Sequence, residues 1–337
     1  MENIFKNKNI LIIGDIMLDS YLFGDVDRIS PEAPVPIINI SLKQNKLGGA
    51  ANVAANIKAL GGTPILCSVI GKDSNGKILL SKLKKLKIDS KHIIQSKSRI
   101  TTNKTRIIGN NHQMIRIDDE ITTELDFDDK NLLISSISTI LNNNIDCILL
   151  QDYDKGILND TIISTTIIKA NKLNIPIIVD PKKRNFSYYN NITLFKPNFK
   201  EFKDGLNITN DNKLELLKNG ANKLHQKGIE IVVVTLSEDG IFLSYNKGKI
   251  SKIIQPKSKI SVVDVSGAGD TVFSIISMLI NIINIEDVLK IANIGGGIVC
   301  ENFGVTPIDK NILINNIIKY YPSFFKNGKK ILNDNNR

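Results

Sequence analysis

The sequence is poor in the residues that build metal and disulfide sites. It has 337 residues, of which three are cysteine, three are histidine and none is tryptophan. The cysteines (Cys67, Cys147 and Cys300) are odd in number, stand singly in apolar runs and lack metal-ligand spacing. We therefore expect buried, reduced cysteines with a structural role, as in proteins of a reducing compartment.

Long apolar runs are also missing. The longest, "TVFSIISMLINIINI", is interrupted by Ser and Asn and is shorter than a bilayer span. The apolar run within "MENIFKNKNILIIGD" is too short for the core of a signal peptide, and no small-residue cleavage site follows it. These features predict a soluble, cytoplasmic protein without a membrane partner.

Aromatic residues make up only 6% of the chain, although the formal net charge is +10. The lysines are scattered, and the densest run, "KLKKLK" at 82–87, is typical of one solvated helix face. Aromatic residues do not alternate with the basic ones, so a platform for stacking bases is missing. We expect no nucleic-acid partner, and a basic excess also suits an enzyme with polyanionic ligands.

Short apolar runs alternate with helical patterns along almost the whole chain, which indicates the α/β class. The runs are apolar on both faces, as expected for strands buried in a mainly parallel sheet. Predicted strands cover residues 9–15, 64–71, 146–152, 176–181, 193–198 and 230–236. Predicted helices cover residues 49–60, 74–86, 130–141, 160–173 and 211–227.

Two regions break this alternation and predict a second, small sheet. Residues 20–45 carry prolines at 31, 34 and 36, which allow extended chain but no helix. Residues 99–118 are typical of two strands around the turn signal "GNN". We predict one domain over 1–325, in which these strands form a lid over the active-site edge, and a polar tail at 326–337.

Polar residues follow several predicted strands, at the sheet edge where α/β proteins bind ligands. Asp15 and Asp19 follow the first strand, and "QDYDKG" (151–156) ends another. Asn198 and Glu201 lie one helical turn apart at the start of a helix. Alternatively, Asp15 and Asp19 are ordinary loop residues at the end of a strand. Asn198 and Glu201 can likewise be a helix N-cap and its capping-box partner.

The stretch "DVSGAGD" places Gly267, Ala268 and Gly269 before Asp270 and a long apolar helix. Such a turn points free amides and the positive end of the helix dipole at one spot, which suits a phosphoryl group. An acid at the same turn can accept a proton from an attacking hydroxyl. The alternative is a tight turn in which Asp270 only caps the helix.

A second glycine turn, "GKDSNGKI" at 71–78, fits most of the P-loop pattern. The pattern requires Ser or Thr at its last position to ligate Mg²⁺, and Ile78 stands there instead. We therefore interpret it as a glycine turn with Asp73 near the start of a helix.

Together the motifs resemble those of the ribokinase (PfkB) family of sugar kinases, over about residues 8–320. "GGAANVAANIKALG" and "DVSGAGDTVFS" are similar to the two family signatures, and "GKDSNG" and "NFKE" to its Gly-x-Asp-x-x-Gly and Asn-x-x-Glu motifs. The resemblance implies a ribokinase-like three-layer sandwich with a small β-sheet lid. It also implies ATP as co-substrate with Mg²⁺, and it leaves dependence on K⁺ open.

A narrower resemblance is carried by "RISPEAPVP", "NHQMIRID", "QDYDKG" and "DPKKRNF". These stretches look like the subgroup that phosphorylates D-glycero-β-D-manno-heptose 7-phosphate at its anomeric hydroxyl, for ADP-heptose and lipopolysaccharide synthesis. That kinase is often fused to an adenylyltransferase domain. Because no His-x-Gly-His occurs in this sequence, we expect that domain to be absent. Gln151 stands where the subgroup usually has Ser.

The resemblance implies a role for each matching residue. Asp270 would be the catalytic base, with Gly267, Ala268 and Gly269 as the anion hole. The nucleotide and its Mg²⁺ would meet Asn198, Glu201, Thr235, Ser237, Gly240 and Asn293, with Glu201 on the metal. The sugar would meet Asp15, Asp19, Gly48, Gly49, Asn52 and Asp152, and its phosphate Arg106, Arg116 and Lys155.

Alternatives remain open at this stage. Arg106, Arg116 and Lys155 can also be solvated charges, since exposed strands tolerate them. The enzyme could be another sugar or sugar-phosphate kinase of the same fold, or the protein a sugar-binding regulator without catalysis. The exposed edges of the lid strands lead us to expect a homodimer formed through the lid.

Overall fold

A computed structural model describes residues 4, 5, 7–209, 212–257 and 261–326 of the chain. Of the predicted polar tail at 326–337, all but the first residue lies outside the described residues. Within the described part, no helix has the length and apolar character to cross a membrane. Cys67 and Cys147 are buried as predicted, whereas Cys300 is partly exposed, and all three are free thiols.

Among the described residues the main sheet has nine strands, and seven neighbouring strands of these form one parallel run. In chain order the strands are β1 (Asn9–Gly14), β4 (Thr63–Gly71), β5 (Ile93–Ser96), β8 (Cys147–Gln151), β9 (Ile177–Asp180), β10 (Leu194–Phe195), β11 (Ile231–Thr235), β12 (Ile241–Tyr245) and β13 (Ile250–Ile254). Their order across the sheet is β13-β12-β11-β10-β9-β8-β1-β4-β5, and β12 and β13 run antiparallel at one edge. The predicted parallel sheet is thus confirmed, and the antiparallel edge adds to it.

Helices cover both faces of this sheet and complete a three-layer sandwich. One layer holds α1 (Ala50–Leu60), α2 (Ser74–Lys85), α7 (Ala268–Leu279), α8 (Ile285–Cys300) and α9 (Lys310–Tyr320). The other holds α3 (Phe127–Ile140), α4 (Asp160–Lys172), α5 (Phe199–Leu206) and α6 (Lys213–Gln226). A short helix, α10 (Ser323–Lys326), follows α9. The side chains of β1 alternate between the two layers, because successive strand residues point to opposite faces.

The second, small sheet is built from the two regions that broke the sequence alternation. Its strands are β2 (Ile16–Ile29), β3 (Pro36–Gly49), β6 (Asn103–Gly109) and β7 (His112–Asp119), in the order β3-β2-β6-β7. The hairpin predicted at "GNN" joins β6 to β7, with Asn110 and Asn111 at positive φ, as in type I′ turns. Because β2 follows β1 after one residue and β3 runs directly into α1, the small sheet starts at the edge of the main sheet where ligands are predicted to bind.

Candidate active site

The carboxyl ends of neighbouring parallel strands bring the central polar residues into one row. Gly14 of β1 pairs with Gln151 of β8, which pairs with Asp180 of β9. Lys196 follows β10, and its amide bonds to the carbonyl of Val179 on β9. The sheet register therefore fixes these groups side by side at the edge where ligands were predicted to bind.

The N-termini of two helices, α1 and α7, lie at this edge, and neither has a side-chain cap. Helices α2 to α6, α8 and α9 each have an Asp or Asn side chain that accepts a first-turn amide. Helices α1 and α7 begin instead after Gly49 and Gly267, which have positive φ of 58° and 83° and offer no such acceptor. Uncapped helix N-termini leave amides and dipole charge available for an anion.

The turn at Gly267–Gly269, here called the anion turn, lies directly before the first turn of α7. Only glycine adopts the φ of 83° at residue 267 without strain. The amide of Ala268 already donates to the carbonyl of Val265 at 3.2 Å. Of the three amides predicted to form the anion hole, that of Ala268 is therefore already engaged within the protein.

The carboxylate of Asp270 lies at the centre of the site and is buried. It accepts hydrogen bonds from Asn52 Nδ2 and from the hydroxyl of Tyr153, both at 2.8 Å, and a longer one from Gln151 Nε2 at 3.4 Å. The alternative in which Asp270 only caps its helix does not account for these contacts. They connect α7 with α1 and with the loop after β8.

Burial raises the pKa of Asp270 to about 6, against the hydrogen bonds from Asn52 and Tyr153 and the charge of Lys196, which lower it. Burial and the neighbouring Asp270 carboxylate together raise the pKa of Tyr153 well above its ordinary value. Tyr153 therefore remains a protonated donor. The carboxylate of Asp270 is stabilised enough to ionise near neutral pH and remains basic enough to take up a proton.

Lys196 is a buried cation that none of the sequence motifs predicts. Its ammonium binds Asp180 at 2.9 Å and lies 5.6 Å from the centre of the Phe273 ring. A Cβ built on Gly269 would lie 3.9 Å from the same nitrogen, so the cation borders the anion turn. The signal was available in the sequence, because a lysine that directly follows a buried strand is unusual without a partner.

The small sheet contributes Asp19 on the face that meets the body. Its carboxylate binds Arg106 on the neighbouring strand at 2.5 Å. A Cβ on Gly48 would lie 2.1 Å from Asp19 Oδ2, so only glycine lets the carboxylate rest against this backbone. Arg106 is thereby engaged by the acid predicted to hold the sugar.

Asp15 and Asp152, which are predicted to contact the sugar, both accept hydrogen bonds from the protein itself. Both are buried, and the oxygens of Asp15 accept three backbone amides of residues 153–157. Asp152 accepts the amide of Asp154, the side-chain amide of Asn185 and the hydroxyl of Tyr189. These contacts are with the protein itself, for a physical reason: a buried carboxylate requires donors, and the folded chain supplies them.

The predicted phosphate ligands lie in a network of ion pairs. Lys155 and Lys104 both bind Glu120, at 2.7 and 2.9 Å, and Lys104 also binds Asp118 at 3.0 Å. Arg116 binds Asp118 as well, but its side chain is 52% exposed. Lys104 was not predicted, and it lies beside Asp19 in the sheet register.

The predicted nucleotide residues gather at the ends of β10 and β11. Asn198 pairs with Thr235, and Ser237 and Gly240 follow in the next turn with positive φ. Asn198 and Glu201 form a capping box, so the alternative structural role is present in the fold. Asn293 donates to the carbonyl of Ile254 at 2.8 Å, at the edge strand β13.

Glu201 also forms an ion pair with Lys182, which connects the predicted nucleotide residues to the centre of the site. Burial acts to lower the pKa of Lys182, but the carboxylates of Asp180 and Glu201 raise it above its ordinary value. The ammonium lies 5.3 Å from the centre of the Tyr153 ring. Lys182 belongs to the stretch "DPKKRNF", but nothing in that stretch distinguishes it from the neighbouring basic residues, so no role is predicted for it.

The described residues contain no cluster of three or more His, Cys, Asp or Glu that could enclose a metal. Mg²⁺ in phosphoryl-transfer sites usually takes one or two carboxylates together with nucleotide phosphates and water. Glu201 and Asp180 supply two such carboxylates at the edge where ligands are predicted to bind, and Lys182 and Lys196 pair with them there.

Comparison with known proteins agrees with the motifs. The model of the pfkB family of carbohydrate kinases matches residues 7–311. The chain is 37% identical over 302 residues to the bifunctional protein HldE of Methylobacillus flagellatus. This match covers 89% of this chain and 61% of that protein. It is 38% identical over 299 residues to HldE of Helicobacter pylori strain P12, covering 88% and 64%. The chain therefore spans less than two thirds of the length of these relatives.

Solved structures show the same fold. Arabidopsis thaliana ribokinase, complexed with ribose and ATP, has a TM-score of 0.70 at 18% identity and covers 92% of this chain and 98% of that one. Phosphofructokinase-2 from Escherichia coli, in complex with potassium, has a TM-score of 0.75 at 19% identity and covers 94% and 98%. The predicted ribokinase-like sandwich is confirmed.

Lys196→Met should destabilise the protein by about 3 kcal/mol, because it leaves the buried Asp180 carboxylate without its cation. Urea unfolding measures the loss. The double variant Asp180→Asn/Lys196→Met removes both charges and should be more stable than Lys196→Met alone. If the double variant loses the sum of the two single effects, the ion pair does not have this role.

Proposed function

This chain belongs to the pfkB family of carbohydrate kinases, and on that premise we propose that it phosphorylates D-glycero-β-D-manno-heptose 7-phosphate with ATP. The product would be heptose 1,7-bisphosphate, a precursor for ADP-heptose and lipopolysaccharide. One observation carries the kinase activity: the buried Asp270 carboxylate adjoins an uncapped helix N-terminus and a buried lysine. A base, amide donors and a cation then surround one point, as phosphoryl transfer requires.

In the proposed reaction Asp270 accepts the proton of the anomeric hydroxyl. The hydroxyl oxygen bonds to the γ-phosphorus, and the bond from that phosphorus to the β-γ bridging oxygen breaks, which releases ADP. The amides of the anion turn and Lys196 would neutralise the moving charge. Because Asp270 acts as a base and its pKa is about 6, turnover should fall as the pH drops through that value.

Mg²⁺, when bound with the nucleotide, would neutralise phosphate charge, and Glu201 is the residue that we propose to hold it, through water. The Glu201 oxygens already receive the Asn198 amide and the Lys182 ammonium, which fixes the carboxylate in place. Thr235, Ser237, Gly240 and Asn293 would flank the nucleotide. K⁺ is a further candidate, since a similar fold was solved in complex with potassium.

The charge on the inner face of the small sheet supports a phosphorylated sugar over a free one. Lys104, Arg106 and Arg116 share this face with Asp19 by register, and Lys155 reaches it from the body. Lys104 and Lys155 are both largely buried and meet at one carboxylate, Glu120. We propose that the sugar phosphate binds these cations, while Asp19, Gly48, Gly49 and Asn52 meet the sugar hydroxyls.

A kinase assay with a panel of acceptors tests the function. We expect turnover with heptose 7-phosphate to exceed turnover with ribose and with fructose 6-phosphate. Preference for one of the other acceptors would identify a different sugar kinase, and sugar binding without ADP release would identify a regulator.

Asp270→Asn should lower kcat by about 100-fold or more, the usual effect of losing a general base, while ATP binding by calorimetry is retained. Asp146→Asn is the matched control, because Asp146 binds the Asn9 amide and Lys8 at the opposite edge of the sheet. That variant should keep its kcat. Retention of more than about a tenth of wild-type activity by Asp270→Asn would remove Asp270 from the role of base.

We further propose a homodimer formed through the small sheet. Leu22, Ile107 and Ile115 form one row across its outer face, opposite the side that carries Asp19. Ile115 and Ile117 are 54% and 50% exposed. An exposed apolar row on a sheet with two open edge strands favours pairing with a second copy. A similar fold, phosphofructokinase-2 from E. coli, has been solved as a tetramer.

Ile115→Glu should shift the protein from dimer to monomer, because a charge in an apolar interface loses its hydration. Light scattering gives the mass in solution. Ile312→Glu on α9, where the side chain is 48% exposed, is the control and should remain dimeric. A wild-type protein of monomeric mass would reject the interface.

A further inference from the structure

Residues 153–157, here called the clamp loop, lie just after β8. Two buried carboxylates accept hydrogen bonds from the backbone amides of this loop. Asp15 Oδ2 accepts the amides of Tyr153 and Lys155 at 2.8 and 3.2 Å, and its Oδ1 accepts the amide of Ile157 at 3.2 Å. The amide of Asp154, between them, turns to Asp152 Oδ1 at 2.9 Å. Alternate amides of one loop therefore point to two different acids.

The backbone of the clamp loop cannot reach this shape easily without those acids. Asp154 and Gly156 have positive φ of 57° and 84°. A Cβ on Gly156 would lie 1.9 Å from the carbonyl oxygen of Thr123, which packs over the loop. Arg99 donates to the carbonyls of Lys155 and Ile121 and holds the loop from the other side. Converging amides of this kind form an anion nest, and Asp15 fills it from within the protein.

The clamp loop presents two side chains to the proposed site. Tyr153 donates its hydroxyl to Asp270, and Lys155 extends to Glu120. Asp15 itself is 1% exposed, so its carboxylate has no open surface toward a ligand. A role for Asp15 in catalysis must therefore pass through the loop.

We infer that Asp15 is a positioning residue, which holds the clamp loop so that the Tyr153 hydroxyl donates to the catalytic carboxylate of Asp270. This inference rests on the proposed function for its catalytic meaning, but the contacts hold without it. Asp152 supports the same loop at Asp154, and Asn185 and Tyr189 fix Asp152 in turn.

The direction of a pKa change separates this role from simple electrostatics. The charged or titratable groups that act on Asp270 are Tyr153, Asp180 and Lys196, and those that act on Asp15 are Asp152 and Arg99. Removing a nearby negative charge would lower the pKa of Asp270. Losing the Tyr153 hydrogen bond would raise it, because that bond stabilises the ionised form.

The experiment measures the pKa of Asp270 by carbon-13 NMR of labelled aspartate carboxyls, with Asp270→Asn to assign the signal. Asp15→Asn replaces one acceptor oxygen with an amide that repels the loop amides. We expect it to raise the pKa of Asp270 by roughly 0.5 to 1, the equivalent of one hydrogen bond. Tyr153→Phe should give a similar rise, and adding Asp15→Asn to Tyr153→Phe should give no further rise.

Two further variants complete the test. Gly156→Ala disturbs the clamp loop from the opposite side and should raise the pKa of Asp270 as well, which keeps the test decisive if Asp15→Asn does not fold. Asp73→Asn is the matched control, since Asp73 accepts the amides of Gly76 and Thr101, both at 2.7 Å, at the start of α2. It should leave the pKa of Asp270 unchanged.

Three NMR outcomes would overturn the inference: an unchanged or lowered pKa of Asp270 in Asp15→Asn, the same in Gly156→Ala, or an equal rise in the Tyr153→Phe background. An Asp15→Asn protein that only raises KM for the sugar would make Asp15 a direct ligand. Because NMR needs no turnover, failure of every acceptor in the kinase assay would reject the proposed function and leave this inference standing.

Discussion

The burial of carboxylates at one edge of a parallel sheet is the constraint on which the rest of the site depends. Asp15, Asp152, Asp180 and Asp270 are all buried there. A buried carboxylate is costly unless donors or cations surround it. Only Asp180 has a direct cation, and the others take their donors from loops and side chains that are distant in sequence. Satisfying these acids is therefore what orders the loops that carry the chemistry.

This constraint sets activity against stability. Burial raises the pKa of Asp15 to about 7, reinforced by Asp152 and opposed by the three loop amides, and raises that of Asp270 to about 6. Both exceed the ordinary value of 3.8, so the folded state holds protons that the unfolded chain releases. The contribution of these two groups to the stability of the folded state is therefore largest at acid pH, and it decreases as the pH rises from about 4 to 7. A base that must be ionised to act thus works in the range where its burial destabilises the fold.

The sequence was sufficient where one local rule decided the outcome, and it failed where distant residues had to meet. The central strands could be predicted from their apolar runs. The prediction for Asp270 came from the three small residues that precede this acid. Tyr153 and Lys104 carry no such mark, because each acquires its role from a partner, Asp270 or Glu120, on another element. Asp15 shows the limit well. An aspartate after a strand can bind a ligand or accept the backbone amides of a loop 138 positions later in the chain. The sequence does not distinguish these two roles, and the fold does.

The small sheet and the anion turn are not independent parts, because the segment 303–305 contacts both. Phe303 packs edge-on against Tyr21 of β2, and its carbonyl accepts the Lys46 ammonium of β3 at 2.9 Å. The next amide, of Gly304, donates to Asp264 Oδ2 at 2.9 Å, and Asp264 Oδ1 accepts the amide of Ser266 directly before the anion turn. Neither the sheet nor the turn can shift without breaking bonds to a segment that holds the other. The sugar side and the phosphate side of the proposed site are therefore assembled together, since the same few residues fix both.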